Sequence, residues 1–397
     1  MSYLQETQDA GREIFPDLAR AFALIGIALV NVGMISYPSM TSYFGGGLSS
    51  SIDEVAFSAV NALFLMKSYT LFSFMFGVGF AYQMASAEKR GIGFSGRYWR
   101  RIIGLLIFGF INIAFLFQGD ILVIYAILGC ILFLFRKSSP RVLSGWGIGI
   151  YLFQVVIMAL LAVVFWSWSI YEPNEFAAEM SSIASEGLAE AEAYRSGTFT
   201  ETIAQRFLEW TEVITFGLLL QSFGALAFFL FGLSAVKRGT ITNPGAPFWK
   251  TCRWVYLPIG LIISGTGAWL TIRGDGFMDT NMMFGMTLIM LGAPFSTAGY
   301  LGLIAKWSET SGGALKTFLA RGGTVSLTAY LMQGLLLSLI FNAYGLGLFE
   351  QIGAAGCVAI AFGVALFTVA FTSLWRTKFK RGPLEAILRS WTYLGAR

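Results

Sequence analysis

The chain has 397 residues, 56% hydrophobic and only 12% charged, with a net charge of +5. A soluble globular protein carries about 25% charged residues, so the composition excludes a soluble enzyme and reads as an integral membrane protein. There is no histidine, and Cys130, Cys252 and Cys357 are isolated in apolar segments, which removes His-base catalysis and the common zinc and haem ligand sets; no metal site is expected.

Acidic residues (Glu6, Asp9, Glu13) precede the first apolar run, and no small-residue cleavage site follows, so the start does not read as a cleaved signal peptide. Apolar runs then recur near 18–36, 67–86, 102–118, 121–135, 143–167, 211–236, 254–272, 281–304, 324–342 and 352–374. They predict an all-α polytopic membrane protein of about ten transmembrane helices. Of the 27 Lys and Arg, 23 fall in every second loop, at 12–20, 89–101, 136–141, 237–253, 306–321 and from 376 onward. The alternation places both termini in the cytoplasm, as a multi-pass protein of the bacterial inner (plasma) membrane. The basic charge is thereby assigned to membrane-flanking loops and not to nucleic acid.

Residues 53–66 are apolar and run straight into the second span, so a short interfacial helix bending near Lys67-Ser68 is expected. Between Arg101 and Arg136 lie 34 residues, nearly all apolar. That is too long for one span and short for two, which need about 40. It predicts a tight hairpin turning at Gln118-Gly119, with Asp120 below the outer bilayer boundary. Residues 168–207 form the one long hydrophilic insert, with seven Glu against Arg195 and Arg206. Phe176, Met180 and Ile183 at i, i+4, i+7 predict a helix capping the outer face, while Glu209 at the outer end of the sixth span is expected to be solvated. Residues 376–397 read as a basic amphipathic cytoplasmic tail, helical after Pro383 and lying along the inner leaflet. The whole chain, 1–397, is one membrane domain.

An ionisable or amide side chain inside a membrane marks a candidate site. Asp120 stands first, with Lys67, Gln118, Asn31, Tyr330 and Gln333 as further candidates for a substrate-binding set. Asp17, Arg20, Arg97, Arg100 and Arg101 mark the cytoplasmic mouth. Lys67 and Asp120 reach a similar depth when counted from Lys89 and Arg101 at about 1.5 Å per residue, so they either share one site or act separately. In the separate case Lys67 snorkels to water and Asp120 caps its own helix. The amides Asn31, Gln118 and Gln333 equally suit simple interhelical hydrogen bonds.

Several pieces resemble the YeiB-like family of bacterial membrane proteins. They are Asp17-Leu18-Ala19-Arg20-Ala21-Phe22-Ala23-Leu24, the stretch Lys67 to Gly79, Gly119-Asp120-Ile121-Leu122 with Tyr125-Ala126, Ser326 to Gln333, and Gly382-Pro383-Leu384-Glu385 with Arg389 and Thr392-Tyr393. The resemblance covers the chain from about residue 15 to the end. Ala21 and Ala329 stand where the family usually has Gly and often Asn. That family is distantly similar to membrane acyltransferases of the heparan-glucosaminide acetyltransferase and O-antigen acetylase types. In the O-acetylases a His closes the first span; Asn31 stands there in this chain and cannot take a proton at neutral pH.

Two functions follow as expectations. One is a transporter of a small or amphipathic metabolite, with a polar intramembrane site near the outer face. The alternative is an acyltransferase-like transferase using Asp120 in place of the missing His, with acyl-CoA as donor at Arg97, Arg100 and Arg101. The transport reading requires no cofactor. Membrane lipids and a small-molecule or lipid-like substrate are the expected partners, nucleic acid is not, and a homo-oligomer is compatible with the sequence.

Overall fold

The structure, a computed structural model, describes residues 13–38, 46–217, 221–274 and 279–394, with the backbone alone for 212–217. Among these residues it is all helix, with no strand. The helices are α1 (Phe15–Ser36), α2 (Ser51–Leu63), α3 (Lys67–Lys89), α4 (Ser95–Phe115), α5 (Leu122–Leu134), α6 (Pro140–Tyr171), α7 (Pro173–Arg195) and α8 (Phe199–Gly217). They continue as α9 (Phe223–Lys237), α10 (Pro247–Thr271), α11 (Thr280–Glu309), α12 (Ala314–Gly323), α13 (Ser326–Phe341), α14 (Ala354–Lys378) and α15 (Pro383–Thr392).

Seven helical runs are long and apolar enough to cross a bilayer: α1, α2 with α3, α4, α6, α10, α11 and α14. α12 and α13, bent by 84° at their junction, make an eighth if they form one broken span. Where they are described, the ten expected runs fall on helices, but besides α13 two of those helices are too short to cross alone. α5 has 13 residues and α9 has 15, roughly 20 Å each against about 30 Å of hydrocarbon. α5 is the return arm of the expected hairpin. The helix breaks before the second span at Phe64–Met66, where Met66 takes a left-handed conformation (φ 65°), but α2 and α3 run on without the sharp bend expected there. Together α2 and α3 make a 39-residue run, longer than any bilayer, so part of α2 lies outside the hydrocarbon.

α1 is the axis. It packs against α3, α11, α12, α13 and α14, and Leu18, Ala21, Leu24, Ile27 and Val32 are at most 5% exposed. α6, by contrast, turns Trp146, Ile148, Leu152, Val156 and Leu160 outward, as a lipid-facing helix does. α3 and α9 cross at backbone contact because Gly77 and Gly232 lack side chains: a Cβ at either would meet a carbonyl oxygen of the other helix at 2.1 Å. Small residues permit this approach where no hydrophobic drive separates helix from lipid.

The insert folds as α7 and α8. Phe176, Met180 and Ile183 are only half-buried; the buried face is instead Gly187, Glu190, Ala191 and Tyr194, with Tyr194 stacked on Phe349 at 5.2 Å. Glu209, expected to be solvated, is 4% exposed, and Arg206 is buried, donating to Ser338 Oγ and Tyr344 Oη at 2.8 Å each. The insert bends back onto the end of α13, which a hydropathy profile does not reveal.

Candidate functional site

The N-terminal turns of α4 place Arg97, Tyr98 and Arg101 on one face, at i, i+1 and i+4. Opposite them, Phe76, Gly79, Phe80 and Gln83 of α3 follow the same helical spacing. Between these faces lies a cavity of about 470 Å³ that Arg20 of α1 and Glu385, Arg389 and Tyr393 of α15 also line. Its basic rim is at the end of the bundle that carries the basic loops. Its inner end is lined by Leu122, Tyr125 and Tyr330. The volume lies in the range of small-molecule sites.

α15 closes one side of this cavity. It packs on α4 and α13, and its N-terminal Pro383 follows a Gly382 too close to Val325 for any side chain. Trp391 Nε1 donates to the carbonyl of Arg100 at 2.8 Å, and the Arg100 guanidinium donates to the carbonyl of Leu394. Arg97 and Arg389 both stand over the Tyr393 ring, at 5.3 and 4.3 Å from its centroid. Arg20 is bound to Asp17 at 2.9 Å, and Asp17 is 1% exposed. Arg101 makes no hydrogen bond or ion pair among the described residues. The rim therefore presents guanidinium groups toward a cavity with few carboxylates, Glu385 being engaged by the start of α13.

Beyond the inner end is a polar cluster built by the turn between α4 and α5. Asp120 Oδ1 accepts the Val123 N–H at 2.9 Å, capping α5, and Oδ2 accepts Asn112 Nδ2 at 2.7 Å. The Tyr330 hydroxyl accepts the N–H of Ile121 at 3.3 Å and Asn112 Nδ2 at 3.4 Å, so it joins the cavity wall to the Asp120 turn. Asn31, Asn112, Tyr330, Gln333 and Gly334 line a second, small chamber of about 10 Å³.

Most of the sequence-level candidates meet here, and some do not. Asn31, Tyr330 and Gln333 share the small chamber, with Asp120 held next to it through Asn112. Gln118 instead donates to the carbonyl of Met34 at 3.1 Å and ties the turn to α1. Lys67 does not pair with Asp120: its ammonium donates to the carbonyl of Asn61 at 3.1 Å, across the break between α2 and α3. Nor does it snorkel, being 1% exposed. Of the expected mouth, Arg20, Arg97 and Arg101 line the cavity, while Asp17 holds Arg20 and Arg100 anchors α15. The large cavity opens at the basic end, not at the outer face where a site was expected. Tyr98, Tyr125 and Arg389 were not among the candidates; Tyr125 and Arg389 stand in the family-like stretches 119–126 and 382–393, which was the signal for them.

Comparison with known proteins places the chain among relatives. The family description "Protein of unknown function (DUF418)" matches residues 235–395. The uncharacterized protein YxaH of Bacillus subtilis (strain 168) is 30% identical over 416 residues, covering 99% of this chain and 97% of that protein. The uncharacterized protein YeiB of Escherichia coli (strain K12) is 25% identical over 398 residues, covering 97% of each. An uncharacterized 39.9 kDa protein in the amylase 3′ region of Bacillus acidopullulyticus is 28% identical over 384 residues, covering 95% of this chain and 92% of that protein. No solved structure matches the chain. The distant acyltransferase resemblance finds no support among these relatives. The chain belongs to the YeiB-like, DUF418 family of helical membrane proteins.

Proposed function

We propose that the protein binds an anionic, amphipathic small molecule in the 470 Å³ cavity, admits it from the cytoplasmic side of the bacterial inner membrane, and carries it across. One observation carries this reading: guanidinium groups on the rim, aromatic walls behind them and a polar cluster at the inner end, all inside a helical membrane bundle. A phosphate or carboxylate head would be held by Arg97, Arg101 and Arg389 as a charge-assisted acceptor. An apolar body would lie against Phe76, Phe80 and Tyr98.

The acyl-transfer alternative gains one point, because Arg97 and Arg101 line a cavity where an acyl-CoA head could dock. It loses another, because a transferase needs a proton acceptor at the donor, and Asp120, which caps α5 and holds Asn112, does not line the cavity where that donor would dock. Glu385 is likewise occupied. Transport is therefore the better reading.

The test uses purified protein in detergent, with thermal stability measured against palmitoyl-CoA, lysophosphatidic acid, oleate and zwitterionic lysophosphatidylcholine. Saturable stabilisation by the anionic amphiphiles is expected, weakened about tenfold in Arg101→Gln, the loss of one charge-assisted contact. Equal behaviour of the wild type and Arg101→Gln overturns the proposed site. Release of free CoA from palmitoyl-CoA would select the transferase; movement of the labelled amphiphile into proteoliposomes without CoA release selects transport.

A further inference from the structure

We propose that the small chamber between α1, α4 and α13 binds one monovalent cation of the size of Na⁺. The chamber, about 10 Å³, is lined on its polar side by Asn31, Asn112, Tyr330 and Gln333 and elsewhere by Gly334 and apolar side chains such as Phe117 and Leu337, and such a volume holds one water-sized sphere. Two buried oxygens on its walls, Asn112 Oδ1 and Gln333 Oε1, have no hydrogen-bond partner, in residues 1% and 2% exposed.

The identity of these atoms as oxygens is set by their neighbours. Asn112 Nδ2 donates to the Asp120 carboxylate at 2.7 Å, and Gln333 Nε2 donates to the carbonyl of Leu24 and to Thr368 Oγ1 at 3.2 Å each. Turning Asn112 over would set its oxygen against the carboxylate; turning Gln333 over would set its oxygen against a carbonyl. Both amides therefore leave an acceptor without a donor. Buried acceptors without donors are rare, and hard cations are held by oxygen ligands.

Charge separates a cation from a water. Asp120 is 5% exposed and forms no ion pair among the described residues; its hydrogen bonds come from neutral N–H groups. A carboxylate at this depth takes either a proton or a counter-charge. A cation on Asn112 Oδ1 would stand one side chain away from it and polarise the amide that bonds it. A water would satisfy the oxygens and supply no charge. Gly334 keeps the room: a Cβ there would lie 3.3 Å from Asn112 Oδ1.

The site does not depend on what the large cavity binds, and its test does not either. Melting of the purified wild type is followed in NaCl, KCl and choline chloride at equal ionic strength, with direct binding of ²²Na⁺ by scintillation proximity. Saturable, Na⁺-specific stabilisation is expected. Affinity should fall at least tenfold in Gln333→Met, which keeps the chain length and removes the oxygen. Should Gln333→Met not fold, Gly334→Ala, which crowds the chamber from α13, is expected to show the same loss. Identical melting in Na⁺ and choline with no saturable ²²Na⁺ binding overturns the proposal, as does equal Na⁺ affinity in the wild type and the variants.

Discussion

Glu385 caps a helix that begins 59 residues before it: its Oε1 accepts the N–H groups of Leu327 at 2.8 Å and Thr328 at 3.1 Å, and its Oε2 accepts the Thr328 hydroxyl at 2.6 Å. α13 starts after an 84° break and has no local side-chain cap, so its first N–H groups would otherwise be orphaned. The carboxylate also meets the positive end of the helix dipole. Replacing Glu385 by Ala is expected to destabilise the protein by about 2 kcal/mol, with Gln recovering part of that loss. Thermal melting in detergent checks it, and a change below about 0.5 kcal/mol would remove the cap from the account.

The crossing of α3 and α9 gives a second prediction. Gly77→Ala and Gly232→Ala each bring a methyl to 2.1 Å from a carbonyl oxygen of the other helix, so the helices have to separate. Overpacking of this kind costs about 1–3 kcal/mol or more. Gly145→Ala, where a Cβ meets nothing within 4 Å, is the control and should be neutral or stabilising by up to about 1 kcal/mol. Equal melting of all three variants would mean that the crossing is looser than described.

Topology is tested by labelling. The loop charges put residues 168–207 outside and both termini inside. Ser182 and Ser311 are both exposed. In a background lacking Cys130, Cys252 and Cys357, a cysteine replacing Ser182 should react with an impermeant thiol reagent in intact cells. One replacing Ser311 should react only after permeabilisation. The reverse pattern would invert the protein and turn the large cavity toward the outside.

The helices were legible because apolar runs and flanking charge are properties of one segment at a time. Asp120 and Asn31 were legible for a related reason: polar groups stand out in an apolar run. What could not be read was where chain segments fold back. The cavity wall needs α15 laid on α4, so Arg389 and Tyr393 looked like surface residues of a tail. Glu209 looked solvated, and the burial of Arg206 went unread, because the insert's return onto α13 leaves no hydrophobic signal in their own segment. The partner of Lys67 is a backbone carbonyl, and every residue has one.

Lys67 and Asp120 give the last prediction. Similar depth in the membrane suggested one site with opposite charges, yet each has its own partners. Among the described residues the Lys67 ammonium has a single hydrogen bond, to the carbonyl of Asn61, while Asp120 holds Asn112 and the start of α5. A buried ammonium bonded to a carbonyl alone is poorly compensated, so Lys67→Met should be neutral or stabilising by up to about 2 kcal/mol. Asp120→Asn places an amide where Asn112 Nδ2 needs an acceptor, and should cost about 1–3 kcal/mol. Sites without shared partners add to within about 0.5 kcal/mol. The double variant should therefore melt as the sum of the two single changes. A coupling above about 1 kcal/mol would restore the shared site and overturn the separate roles assigned to these residues.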